Sequence, residues 1–260
     1  MKKVKYLFPI LISLIGALLF LNSEYLINKL FDLNIKKGIC VIKTDQYLSF
    51  FEDEYGFGIY ILDSGKVLKK ENDILFFKAL TNNKSINIKC NYERISHNIY
   101  YTTYYVYASI NASEVNGSMN INELLLQDST GIRSYNIGNI LLEKVSGGIY
   151  CDNTDVDLGV LTYNENQDFY FYVKNKSDNI FDISIKPYNI SYRLYSYQEE
   201  EIYTPININS DSKYILIRPY FEFKNKKQVA NIILPKVPTS YSINMSTSDK
   251  IVYINKMLDN

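Results

Sequence analysis

The sequence predicts an all-β protein of sandwich type behind one N-terminal hydrophobic helix. Three observations carry that prediction. From residue 38 onward apolar and polar residues alternate with a period of two, the spacing of strands that bury one face. The chain holds 25 Tyr and many Ile but only 11 Gly and 6 Pro, and aromatic and β-branched side chains suit a pleated, half-buried surface. Tyr6 to Leu21 departs from this alternation as an uncharged apolar run whose one polar side chain is Ser13.

Bulk properties narrow the function classes. A chain of 260 residues is long enough to bury a real core in one large or two small domains. Lys plus Arg and Asp plus Glu number 28 each. No basic excess is left to neutralise phosphates, so nucleic acid is excluded as an expected partner.

Lys2, Lys3 and Lys5 precede YLFPILISLIGALLFL, Tyr6 to Leu21. As a helix at about 1.5 Å per residue this run reaches roughly 24 Å, against a hydrocarbon core of about 30 Å. The best small-residue cleavage site is the poor Leu21-Asn22-Ser23, and apolar residues recur through Tyr25, Leu26, Leu30 and Phe31. Residues 1–35 therefore read as a retained signal-anchor, with the Lys cluster cytoplasmic and the rest of the chain extracytoplasmic. A leader cleaved near Ser23, giving a secreted protein, is the alternative.

Residues 36–145 read as a first β-rich module. GICVIKTD supplies one strand, and YGFGIYILDSGKVLKK turns at Asp63-Ser64-Gly65 as a hairpin. ILFFKALTNNKSINIKCNYERI repeats the scheme around Asn82-Asn83-Lys84. The aromatic run from Asn98 to Ser113 follows, then a polar loop at Asn116-Gly117. Two strands flank Ser129-Thr130-Gly131, although Asn122 to Gln127 also fits a helical turn.

The boundary falls near Val145-Ser146-Gly147-Gly148, and residues 146–260 read as a second module. There Phe169, Phe171 and Val173 alternate with Tyr170, Tyr172 and Lys174, and Ile183 and Ile185 alternate with Ser184 and Lys186. Further strands are expected at Ile202 to Ile208, Tyr214 to Phe223, Val229 to Leu234, Tyr241 to Met245 and Ile251 to Ile254. So many short strands in about 115 residues predict a sandwich.

Gly147 to Ile185 resembles the opening of Ig-like modules of archaeal and bacterial cell-envelope proteins. Tyr150, Asp152, Asp157, Gly159, Leu161, Phe171, Val173 and Asn175 carry the resemblance. Leu158 stands where that family has an aromatic residue, and Tyr163-Asn164-Glu165 replaces its Pro-Gly turn. The resemblance implies a β-sandwich with an adhesion, spacer or filament role and brings no catalytic residue.

Export gives meaning to six Asn-x-Ser/Thr glycan acceptors, Asn83, Asn111, Asn116, Asn175, Asn189 and Asn244. Cys40, Cys90 and Cys151 are an odd number for an oxidising compartment; three pairings are open, as is service as buried small apolar residues. His97 has neither a Gly-x-Ser-x-Gly elbow nor a His-Glu-x-x-His partner, so it reads as a surface residue. In CDNTDVDLG the acids Asp152, Asp155 and Asp157 fail the EF-hand spacing and read as turn chemistry. No cofactor is expected.

The interaction candidates are Tyr100, Tyr101, Tyr104, Tyr105 and Tyr107, because Tyr offers amphipathic contact area at little entropic cost. The expectation is a non-catalytic, membrane-anchored cell-surface protein with a structural or interaction role. Its partners would be the membrane, through the N-terminal helix, and other envelope proteins or further copies of itself. The alternatives are a secreted filament subunit assembling by strand addition and an extracytoplasmic enzyme or ligand-binding receptor.

Overall fold

A computed structural model describes residues 35–68, 74–81, 84–146, 148–149, 156–163, 168–186, 190–205, 214–224, 229–233, 237–239 and 245–259. The expected anchor, the Tyr241 start of the strand expected there, Cys151, Asn83, Asn189 and Asn244 lie outside them. The fold is all-β, with one α-helix among the described residues.

A ten-stranded sheet takes up the first half of the chain and two late strands. Its strands are β1 (Ile39–Val41), β2 (Thr44–Phe50), β3 (Glu54–Asp63), β4 (Ile74–Thr81), β5 (Lys84–His97), β6 (Thr102–Asn111), β7 (Ser118–Asp128), β8 (Gly131–Lys144), β15 (Tyr214–Arg218) and β18 (Val237–Thr239). They lie in the order β1-β3-β6-β5-β4-β7-β8-β2-β15-β18. β5 is the corner, because its first half pairs with β4 and its second half with β6. The sheet thus curls over its own core and brings Phe57 of β3 within 5.2 Å of Phe77 of β4, ring centre to ring centre.

The β4–β5 and β7–β8 hairpins close as the turn residues predict, Thr81 opposite Lys84 and Asp128 opposite Gly131. Asn122 to Gln127 is strand, since β4 and β8 supply ladder partners on both sides. Among the described residues no strand returns from the hairpin expected at Asp63-Ser64-Gly65. Instead the buried Asp63 carboxylate accepts from the amides of Gly65, Val67 and Leu68, each at 3.0 Å. An aspartate that satisfies three amides holds the chain in a loop and offers no returning strand.

The remaining strands are β9 (Gly148–Ile149), β10 (Val156–Tyr163), β11 (Asp168–Asn175), β12 (Phe181–Lys186), β13 (Ile190–Leu194), β14 (Glu199–Pro205), β16 (Tyr220–Lys224) and β17 (Val229–Ile233). They make a three-stranded sheet, β10-β11-β14, and a five-stranded sheet, β13-β12-β16-β17-β9. Phe171 and Val173 from the first and Ile183, Ile185, Phe221 and Phe223 from the second are all buried in one cluster. Phe171 meets Phe221 edge to face at 5.3 Å, a geometry worth about 0.5–1.5 kcal/mol beyond burial.

The stretch expected as one strand from Tyr214 to Phe223 is two. Pro219, which has no amide to give a ladder, separates β15 in the large sheet from β16 in the five-stranded one. Arg218 fixes this crossover, 5 % exposed, with both terminal nitrogens on Glu52 at 2.8 and 3.3 Å and its guanidinium 5.2 Å above the Tyr55 ring. Glu143 of β8 ties the same junction from the other side, accepting from Tyr47 at 2.6 Å and Tyr220 at 3.1 Å.

Ile251 to Ile254, expected as a strand, belongs to helix α1 (Thr247–Met257). Ser246 caps it, its hydroxyl accepting from the Asp249 amide at 3.2 Å and donating to the Asp249 carboxylate at 2.6 Å. The apolar spacing Ile251, Ile254 and Leu258 then reads with helical period rather than period two. α1 covers the edge strand β1. The Tyr253 hydroxyl donates to Val41 O at 3.3 Å and accepts from Lys43 N at 3.1 Å, while Asn255 takes the Lys36 amide at 2.9 Å. Edge groups that would otherwise template another strand are thereby occupied. Tyr253→Phe is expected to cost about 1–3 kcal/mol by leaving both groups unmet, read as faster hydrogen exchange of the Lys43 amide.

Candidate functional site

Strand register separates the five candidate tyrosines. Val106, Ala108 and Ile110 of β6 are buried, so Tyr105, Tyr107, Ser109 and Asn111 share the outer face. On β3 the residues opposite them are Tyr60, Gly58, Gly56 and Glu54 in turn. On β5, Glu93 lies opposite Tyr105 and Asn91 opposite Tyr107.

These residues form an aromatic strip. The Tyr105 ring lies 5.0 Å from Tyr60 and nearly parallel to Tyr107 at 5.8 Å. Gly58 makes room for it: a Cβ there would sit 2.7 Å from the Tyr105 ring and 2.6 Å from Val106 O. Beyond it Gly56 faces open space, with nothing within 4 Å of where a Cβ would stand, and Tyr107 is 37 % exposed. Burial, and then the neighbouring phenol and Glu93 for Tyr105 or Glu93 alone for Tyr60, holds both hydroxyls above their ordinary range. They are neutral donors at physiological pH. A concavity of about 700 Å³ adjoins the strip, walled by Ile74, Lys89, Asn91, Glu93, Tyr104 and Tyr107.

Tyr100, Tyr101 and Tyr104 belong to the scaffold instead. Asn98 accepts the amides of Tyr100 and Tyr101 at 2.9 Å each, Tyr101 is buried, and Tyr104 packs edge-on against Tyr92 at 5.6 Å. Tyr60 was not among the sequence candidates. The signal was present in Gly56-x-Gly58-x-Tyr60, two bare positions and a ring on one face of a period-two strand.

The acceptor asparagines also separate. Asn111 and Asn116 are exposed. Asn175 is fully buried, its amide nitrogen donating to Asn179 O at 2.6 Å and Tyr195 O at 2.9 Å. Its carbonyl oxygen accepts from the Ser177 amide at 2.9 Å and hydroxyl at 3.0 Å. Both N–H bonds being committed, a sugar on this nitrogen and this fold exclude one another.

Cys40 and Cys90 are free, buried thiols, pushed by burial from 9.0 up to about 12. Buried neutral thiols are poor nucleophiles. Their folded pKa lies above the unfolded one, so the unfolded chain ionises first as pH rises. The stability contribution is complete below about pH 9 and is lost progressively up to about pH 12. The expected result is falling stability in alkaline denaturant titrations, with both thiols refractory to alkylation until the chain unfolds.

His97 Nδ1 lies 2.9 Å from Thr102 Oγ1 across the β5–β6 register. Asp157 pairs with Lys176 at 2.6 Å, whereas Asp152 and Asp155 lie outside the described residues. Among the described residues no group of three His, Cys, Asp or Glu converges as a metal site, and no helix is long and apolar enough to cross a membrane. No protein-family model matches the chain, and no curated protein matches it in sequence.

Proposed function

We propose that the chain is a non-catalytic cell-surface protein, anchored by its N-terminal segment and exposing its β-rich body outside the membrane in a structural or interaction role. The observation that carries the interaction role is the Tyr60–Tyr105–Tyr107 strip, a ring array left on the outer face of a sheet whose inner face is complete. The Lys cluster ahead of Tyr6–Leu21 supports the topology.

The Ig-like reading of the second half is part of the proposal. β10 and β11 pair antiparallel over the stretch that carries the resemblance, and β12 follows in the facing sheet. The strand-addition alternative needs the segment up to about Thr44 as a donor. Ile39–Val41 is already paired with β3 and sealed by α1, which favours the anchored reading.

Protease shaving of intact cells tests the topology. Peptides from residues after 40 should be released while cytoplasmic controls survive; protection of those residues in cells whose known surface proteins are cleaved would refute it.

A further inference from the structure

We propose that Asn111 carries an N-linked glycan, and that this glycan lies along the outer face of β3 and β6 with its sugars against Tyr107 and Tyr105. This deepens the cell-surface reading and rests on it. The fold places acceptor and aromatic strip on one face of one strand. Tyr105, Tyr107, Ser109 and Asn111 are alternate residues of β6, and the last three are exposed. Asn111 stands four residues from Tyr107, about 13 Å along the strand. Between them lie only Ser109 and, on β3, Gly56 with open space above it. The result is a shallow trough running from the acceptor to the rings.

The acceptor chemistry fits. Asn111 spends one amide N–H on Glu114 Oε1, at 3.2 Å, and a glycosylated amide retains one N–H. Asn175 spends both. The segment after Asn111 is also held firmly: Ala112 N donates to Asp53 O at 2.7 Å, and Lys144 Nζ reaches Ala112 O at 3.0 Å. A chain starting at Asn111 therefore leaves in a fixed direction.

In the modifying step the Asn111 amide nitrogen attacks the anomeric carbon of a lipid-pyrophosphate-linked oligosaccharide. The C–N bond forms as the C–O bond breaks, the lipid pyrophosphate leaves with the electron pair, and the amide proton passes to the transferase. On the protein, the apolar C–H face of a sugar covers a tyrosine ring, while Asn91 and Glu93, one strand over and on the same face, meet hydroxyls. Covering exposed tyrosines with polar sugar turns an adhesive strip into a soluble surface.

The full-length protein would be purified from cells that glycosylate it and from a host that does not. Glycopeptide mapping should find Asn111 modified and Asn175 bare. The glycosylated form should melt about 2 °C or more higher and show weaker iodide quenching of its tyrosine fluorescence. Ser113→Ala, which removes the acceptor signal but keeps the Asn111–Glu114 bond, should abolish the glycan and both differences. Tyr107→Ala should keep the glycan and lose the melting difference; its exposed site guards against simple misfolding, checked by circular dichroism. An unmodified Asn111 on protein that shaving shows to be outside the cell overturns this proposal alone. A chain protected from shaving overturns the topology with it. Equal melting and quenching with and without the glycan, or binding of free oligosaccharide at the strip in place of the attached one, also overturns it.

Discussion

Asn175→Ala is expected to destabilise the protein by about 3–4 kcal/mol and to lower Tm by about 10 °C. The substitution removes four hydrogen bonds from a fully buried site. It takes a donor from the carbonyls of Asn179 and Tyr195, of which the second keeps the Gln198 amide at 3.1 Å. It also frees the turn at Tyr195–Gln198, where Tyr197 holds φ at 58°, a conformation that costs a non-glycine residue of order 1–3 kcal/mol unless neighbours enforce it. Asn175→Asp is the informative companion. It keeps the acceptor for Ser177 but sets a carboxylate against two carbonyl oxygens, so it should be no milder than Ala. Chemical denaturation of both variants checks this, and a loss below about 1 kcal/mol for either would contradict the capping role.

Gly138→Ala is expected to be at least as severe, on the order of 3–5 kcal/mol or loss of folded protein. Gly138 opens the parallel pairing of β8 with β2, opposite Thr44. Its φ is 91°, and an added Cβ would stand 2.1 Å from Thr44 O and 2.9 Å from Thr44 N. Both offending atoms are backbone, so no side-chain rotation relieves the contact and the strands must part. Gly117→Ala, with φ 80° but open space around it, isolates the conformational cost. Its effect should stay near 1–2 kcal/mol, and soluble yield with thermal melting of the two variants separates collision from strain.

Local pattern and tertiary context account for what could be read from the chain. Alternation made the β4–β5 and β7–β8 hairpins legible, because their turns and inward residues are set within about twenty positions. It could not show that β15 leaves its sequence neighbours to lie parallel to β2, since parallel pairing across so long an interval leaves no local mark. The α1 helix was misread because four residues, Ile-Val-Tyr-Ile, favour strands intrinsically. The evidence against a strand lay upstream in Ser246 and Asp249, whose capping makes a helix start.

The candidate site shows the same division. Tyr105 and Tyr107 stood out as candidates in the aromatic run, but their grouping with Tyr60 and Asn111 depends on which β3 residue faces which β6 residue. Asn175, a glycan acceptor by its sequence, caps a turn in the fold for the reverse reason. Asn-x-Ser is also the pattern of an asparagine turn, and burial decides which of the two it is.

The parallel seam between β2 and β15 bears on how the protein is made. Thr44 must wait for Tyr214, a delay of at least ten seconds or so at about 5–20 residues per second of synthesis. Until β8 is made β2 has no neighbour, from then until Tyr214 it has one on the β8 side alone, and β1 lacks the tyrosine hydroxyl that later seals it. The earliest strands of the body are thus the last to be closed, so ribosomal stalling between Lys144 and Tyr214 leaves a nearly complete sheet with a raw flank.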